Sequence, residues 1–145
     1  MNDKTVYLDT SVLAKWYINE AHSEQVADYI VKLDIAAIST LSKTEFRCLL
    51  ARRKRRKELT IELESKIYAT FLEDIAQGHL QVYAVEDKHL ESATYLISML
   101  PEHALRTLDA FHLAIAQSYQ VQQIATADTL LAKAAQQLGF KVDLF

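Results

Sequence analysis

Four acidic residues stand at the ends of strand-like runs or at the starts of helix-like ones: Asp9, Glu45, Asp109 and Asp128. Asp9 closes the apolar run Val6-Tyr7-Leu8, and Asp128 follows the run Ile124 to Ala127. Hydroxyl residues stand beside both acids, namely Thr10, Ser11 and Thr126. If the two strands are parallel, both carboxylates emerge at the same edge of the sheet, where they could gather around a metal ion.

Each acid also has a purely structural explanation, because carboxylates near helix N-termini offset the positive end of the helix dipole. Asp9 and Asp128 could be N-caps, and Asp109 could be a first-turn acid. Glu45 follows Ser42 by three residues, the spacing of a capping box, so for Glu45 alone we favour the cap. The shared placement of all four acids is what favours a common pocket.

The elements that must position these acids alternate between strands and helices. Strands are predicted at 5–8, 35–38, 80–85, 123–126 and 141–145. Helices are predicted at 11–19, 23–33, from 42 onward, and at 60–76, 87–100, 105–119 and 129–138, with Gly78 and Gly139 ending two of them. This alternation predicts an α/β fold with a mostly parallel sheet covered on both faces. Such sheets bind ligands beyond the carboxyl ends of their strands, at the switch point of the strand order.

Length and composition favour a single domain spanning 1–145. Half of the 145 residues are apolar, and two glycines and one proline leave no room for a flexible linker. Cys48 is the only cysteine, which excludes an intrachain disulfide and a thiolate zinc cluster and fits a reducing cytoplasm. No apolar stretch approaches the ~20 residues of a membrane-spanning helix, so we expect a soluble protein without a membrane partner.

Charge is unevenly distributed along the chain. The formal net charge is −3, yet Lys43, Arg47 and the run Arg52 to Lys57 hold eight of the sixteen lysines and arginines. This run is either a solvated helix end or a surface that grips RNA phosphates, and the sequence leaves both open.

Several other residues have two possible roles. Arg106 could hold a substrate phosphate or pair with a carboxylate, and His112 could face the site, although we predict a satisfied, partly buried side chain and leave it out of the ligand set. We expect Cys48 to be a small core residue. The aromatic residues at helical spacing are also expected in the core; they are Trp16, Tyr17, Tyr29, Tyr95 and Phe111.

Four segments together resemble the signature of PIN-domain ribonucleases: Tyr7 to Ser11, Thr44-Glu45, Leu108 to Ala114 and Ala125 to Asp128. The resemblance runs over the whole chain, which is similar in size to the VapC-type toxins of toxin–antitoxin systems. It implies a three-layer α/β/α PIN-like fold with strand order 3-2-1-4-5. It also implies Asp9, Glu45, Asp109 and Asp128 as metal ligands, with Ser11 and Thr126 as supporting hydroxyls.

The expected activity follows from that resemblance and from the ligand chemistry. Carboxylates are hard oxygen ligands suited to Mg²⁺ or Mn²⁺, which would direct a water against an RNA phosphodiester and leave a 5′-phosphate and a 3′-hydroxyl. The resemblance further implies a homodimer, for which the single cysteine favours a cytoplasmic location. Its partner would be a cognate antitoxin that inserts a C-terminal segment, often with a basic side chain, into the acidic pocket.

Two other functions compete with this expectation. A catalytically silent PIN-like scaffold could bind RNA or protein, although intact acids at all four positions argue against it. Phosphoryl transfer through an aspartyl-phosphate at Asp9 would need a second aspartate two positions later, and Ser11 stands there instead.

Overall fold

The computed structural model describes residues 4–145, so the first three residues of the predicted domain lie outside the described part. Five strands form one fully parallel sheet in the order β3-β2-β1-β4-β5. They are β1 (Thr5–Leu8), β2 (Ile35–Ser39), β3 (Gln81–Tyr83), β4 (Gln123–Thr126) and β5 (Lys141–Leu144). The predicted class and strand order are confirmed.

Seven helices connect the strands. They are α1 (Thr10–Tyr17), α2 (Ser23–Ile30), α3 (Thr40–Arg55), α4 (Ile61–Ala76), α5 (Asp87–Met99), α6 (Thr107–Ser118) and α7 (Thr129–Gln137). Gly78 and Gly139 follow the ends of α4 and α7 with φ of 81° and 93°, a left-handed backbone that glycine adopts without strain. None of the helices between residues 4 and 145 is long and apolar enough to cross a membrane.

The alternating directions of the side chains along β1 show how both faces of the sheet are covered. Val6 and Leu8 belong to one core cluster, which packs against α1 to α4, whereas Tyr7 points into a second cluster formed with α5, α6 and α7. Successive side chains of a strand point to opposite faces, so helices on both sides produce the predicted three layers.

The start of α3 differs from the prediction. The helix begins at Thr40, with Ser39 as its N-cap, and the Ser42 hydroxyl accepts a hydrogen bond from the Ser39 N–H at 3.0 Å. The capping box assigned to Ser42 and Glu45 is therefore wrong. Serine occupies both the cap position and the position three residues later, and this leaves Glu45 free for another role. The remaining predicted bounds lie within a few residues of those observed.

Two predictions about the core are also wrong. Cys48 is exposed on α3, and Tyr95 on α5 is 63% exposed. Both residues lie on helix faces that do not pack against the sheet, which residue type alone could not reveal. The other aromatic residues named above pack, partly buried, against the two core clusters; they are Trp16, Tyr17, Tyr29 and Phe111.

Candidate active site

The ends of β1 and β4 bring Asp9 and Asp128 to one edge of the sheet. The two strands are parallel neighbours, and the Asp9 N–H donates to the Ala125 carbonyl at 3.0 Å. The strand order changes direction between them, which is the switch point where parallel sheets bind ligands. Asp9 also accepts from the Thr10 N–H at 2.8 Å and Asp128 from the Leu130 N–H at 2.9 Å. Both acids therefore cap helices and face the same edge.

All four acids line one open cavity of about 440 Å³ at this edge. Ser11 lines it as well, whereas Thr126 is buried behind Asp9. The structure thus brings together the six residues that the sequence analysis singled out. Leu41, Leu49 and Leu108 add apolar surface to the cavity wall, and Cys48, Arg52 and Arg106 stand on it.

Two hydroxyls fix the Asp9 carboxylate in place. Ser11 Oγ donates to Asp9 Oδ2 at 2.8 Å, and Thr126 Oγ1 donates to the same oxygen at 2.9 Å. The two hydroxyls in turn accept the backbone N–H groups of Ala127 and Asp128 at 2.9 and 3.0 Å. Each hydroxyl therefore connects the Asp9 carboxylate to the backbone that follows β4, which orients Asp9 relative to Asp128.

Glu45 contacts His112, the residue that the sequence analysis left out. His112 is buried, and its Nε2 hydrogen-bonds Glu45 Oε1 and lies 4.0 Å from Asp9 Oδ1. Its Nδ1 is 2.6 Å from the Tyr7 hydroxyl. Glu45 Oε1 also accepts from the Thr10 hydroxyl at 3.0 Å. A signal for His112 existed in the sequence, because a residue three positions after Asp109 shares its helix face.

Opposing effects set the charge of His112. Burial lowers its pKa, whereas the hydrogen bond to Glu45 and the negative charges of Asp9, Glu45 and Asp109 raise it, and the net shift of the pKa is upward. Burial raises the pKa of the Tyr7 phenol, which therefore stays protonated beside the imidazole. The upward shift of its pKa favours the protonated imidazole, which would place positive charge next to Asp9 and Glu45.

Arg106 supplies positive charge next to the other two acids, Asp109 and Asp128. Its Nε lies 3.2 Å from Asp109 Oδ2, and its Nη2 lies 2.9 Å from Asp128 Oδ2. Asp109 is buried, while the Arg106 side chain is 72% exposed. Of the two roles open to Arg106, pairing with carboxylates is the one observed.

The donor set fits a hard divalent cation, because four carboxylates surround one cavity and hydroxyl oxygens lie beside them. Within residues 4–145, no three acidic, histidine or cysteine side chains stand close enough together to hold an ion. The carboxylates instead form two pairs, one held by His112 and one by Arg106. A cation held by Asp109 and Asp128 would compete with Arg106 for their Oδ2 atoms.

Comparison of the chain with known proteins identifies its family. The model of the family described as PIN domain matches residues 6–137, which is most of the chain. This chain belongs to the PIN domain family. Ribonuclease VapC46 of Mycobacterium tuberculosis (strain ATCC 25618 / H37Rv) is 30% identical to it over 145 residues, covering 94% of this chain and 95% of that protein.

Several solved structures share the fold. VapC20 of Mycobacterium tuberculosis, described as a sarcin-ricin loop cleaving toxin, superposes with a TM-score of 0.71 at 19% identity, over 89% of this chain and 94% of that one. VapBC-5 of the same organism is described as a member of the VapBC family of toxin-antitoxin systems. It superposes with a TM-score of 0.66 at 20% identity, over 98% of this chain and 99% of that one. At these identities the likeness concerns the fold alone.

Proposed function

We propose that this PIN domain protein is a metal-dependent endoribonuclease and the toxin of a type II toxin–antitoxin pair. One observation carries the proposal: the four acids of the PIN-like motif, widely separated in sequence, line a single cavity at the switch point of the sheet. The 30% identity to a protein named Ribonuclease VapC46, over nearly the full length of both chains, supports the ribonuclease activity.

In this proposal Asp9, Glu45, Asp109 and Asp128 hold Mg²⁺ or Mn²⁺. Ser11 and Thr126 keep the Asp9 carboxylate oriented through the two hydrogen bonds to its Oδ2. When bound, the metal would lower the pKa of a coordinated water and stabilise the charge that develops on the phosphate. In its absence Arg106, and His112 when protonated, offset part of the charge of the four acids, which reduces the mutual repulsion that opposes folding.

The partners follow from the same assignment. The substrate would be single-stranded or looped RNA, whose bases can be splayed into a cavity. A cognate antitoxin is proposed because VapBC-5 is described as a member of a toxin-antitoxin family. A homodimer, a cytoplasmic location and the single domain at 1–145 remain predictions. A single sheet that takes in both β1 and β5 supports the single domain.

Cleavage of RNA by the purified chain, freed of any antitoxin, tests the proposal. Total tRNA and ribosomal RNA would be incubated with Mg²⁺, Mn²⁺ or EDTA, and the fragment ends mapped. We expect discrete metal-dependent cuts that carry 5′-phosphates. Asp9→Asn should abolish them, whereas Asp87→Asn, which changes an exposed acid in the first turn of α5, should not.

The alternative of a silent PIN-like scaffold predicts a different result. A scaffold would bind RNA or protein without cutting, and metal would not raise its melting temperature. Loss of cleavage in both Asp9→Asn and Asp87→Asn, with both variants folded, would also contradict the assignment of the site.

A further inference from the structure

Five basic residues at and near the C-terminal half of α3 fall into two groups with different surroundings. Arg47 Nη1 and Lys54 Nζ contact the carboxylate of Glu64, a buried residue of α4, at 2.5 and 3.1 Å. Arg53 pairs with Glu20 at 2.9 Å and with Glu58 at 3.4 Å. These three cations connect α3 to neighbouring segments, and their charge is already matched.

Arg52 and Arg56 lie on a different face, the one that carries Glu45. They follow Glu45 by seven and eleven residues, which at ~100° per residue places both within about 20° of its direction. The helical rise sets them about 10 and 16 Å from Glu45 along the axis. Arg47 and Lys54, at two and nine residues from Glu45, point to the opposite side. One face of α3 therefore runs from the acidic cavity to Arg52 and on to Arg56, the C-cap that follows the last helical residue.

These two arginines are available to a ligand. Both are exposed, and no acidic group lies within ion-pair distance of either one in the part of the chain that the structure describes. Arg52 stands on the wall of the cavity itself, next to Cys48, Leu49 and Leu108. The cavity thus continues into a surface that offers positive charge with apolar surface beside it.

We propose that a single RNA strand lies along this face of α3, with its backbone passing from the carboxylates to Arg52 and then Arg56. This inference rests on the proposed function. An acidic cavity in a chain of net charge −3 repels a polyanion, so cations in line with the cavity are needed to hold the strand there. Proteins that bind single strands place a positive groove along the backbone. Arg52 and Arg56 supply that charge here, and the leucines of the cavity wall supply apolar surface beside it.

The test is equilibrium binding of a fluorescent single-stranded RNA of ~12 nucleotides, in EDTA to prevent cleavage and over a series of salt concentrations. The wild type would be compared with Arg52→Gln/Arg56→Gln. The matched control is Lys133→Gln/Lys141→Gln, which removes the same charge from two exposed positions on α7 and β5. Melting temperatures confirm that all three proteins are folded.

We expect the arginine variant to bind more weakly, with a slope of log K against log salt shallower by about 1.4, or ~0.7 for each phosphate of a single strand that the protein no longer neutralises. The lysine control should match the wild type. Equal slopes in the two variants, no binding by the wild type, or tighter binding of a duplex of the same sequence would each overturn the inference.

Metal-dependent cleavage by the same proteins separates this inference from the proposed function. A wild type that cuts RNA while the slopes are equal would support the nuclease activity and refute the path of the RNA strand along Arg52 and Arg56. A wild type that never cuts RNA, but whose RNA binding depends on Arg52 and Arg56, would support the path of the strand along these arginines and refute the nuclease activity.

Discussion

Replacing Arg106 with glutamine should strengthen metal binding and weaken the metal-free fold. The guanidinium bridges Asp109 and Asp128, two of the four proposed ligands, at 3.2 and 2.9 Å. We expect a metal ion that engages both carboxylates to compete with it for their Oδ2 atoms. The wild type therefore gives up two ion pairs on metal binding, whereas Arg106→Gln has none to give up.

The magnitude follows from the exposure of the pairs. Ion pairs at the surface contribute ~0.2–1 kcal/mol each, and the 72% exposed Arg106 side chain places both pairs in the lower part of that range. Together they are worth about 1 kcal/mol, which corresponds to roughly fivefold tighter metal binding in the variant. The same free energy removed from the metal-free protein should lower its melting temperature by about 3 °C.

The assay is calorimetric titration with Mn²⁺, together with thermal unfolding in EDTA. Arg55→Gln is the matched control, because Arg55 is an exposed arginine at the end of α3 and forms no ion pair within residues 4–145. It reports the effect of removing one positive charge at a distance from the cavity. Weaker or unchanged Mn²⁺ binding in Arg106→Gln, relative to that control, would refute the idea that Arg106 occupies the place of the metal.

Two further predictions concern His112 and Cys48. Although burial opposes it, the hydrogen bond to Glu45 raises the pKa of His112, so its contribution to the free energy of unfolding is full below ~6.5 and is lost as the pH rises through the higher folded pKa. In EDTA, the difference in unfolding free energy between wild type and His112→Asn should shrink as the pH rises from ~6.5 through the folded pKa. A difference independent of pH would contradict a positive charge on His112. Alkylation of Cys48, the only cysteine and an exposed residue on the cavity wall, should block RNA cleavage while Cys48→Ser stays resistant. Fully alkylated protein that cuts at the normal rate would show that RNA does not enter beside Cys48.

The fold could be predicted because its signals are local. Short apolar runs alternate with helical patterns, and parallel strands place the residues after their ends at one edge, so Asp9 and Asp128 could be paired without knowing any contact. The strand order came from the resemblance to PIN domains, because the periodicity of apolar residues does not determine which strands are neighbours in the sheet.

The errors have two sources, a competing cap nearby in the sequence and a contact between distant segments. Ser39 and Ser42 form the cap of α3, so local spacing misassigned Glu45 to that role. His112 was set aside as a buried histidine, and it is buried, but the carboxylate it contacts is 67 residues away in the chain.

The basic run of α3 shows the same limit. The sequence predicted one basic patch, whereas in the structure Arg53 and Lys54 pair with acids and Arg52 lines the cavity. Glu64, which holds two of the paired cations, lies on α4, and nothing in the run itself reveals its position.

Whether the four acids bind one metal centre is the claim on which the proposed function depends, and anomalous scattering from Mn²⁺ in crystals of the wild type measures it directly. We expect a peak in the cavity, with carboxylate oxygens of Asp9 and at least two of the other three acids at the ~2.1 Å typical of Mg²⁺ sites. The Arg106 guanidinium should have moved away from Asp109 and Asp128. Mn²⁺ bound only elsewhere, or a cavity without Mn²⁺ at a concentration that supports cleavage, would contradict the account.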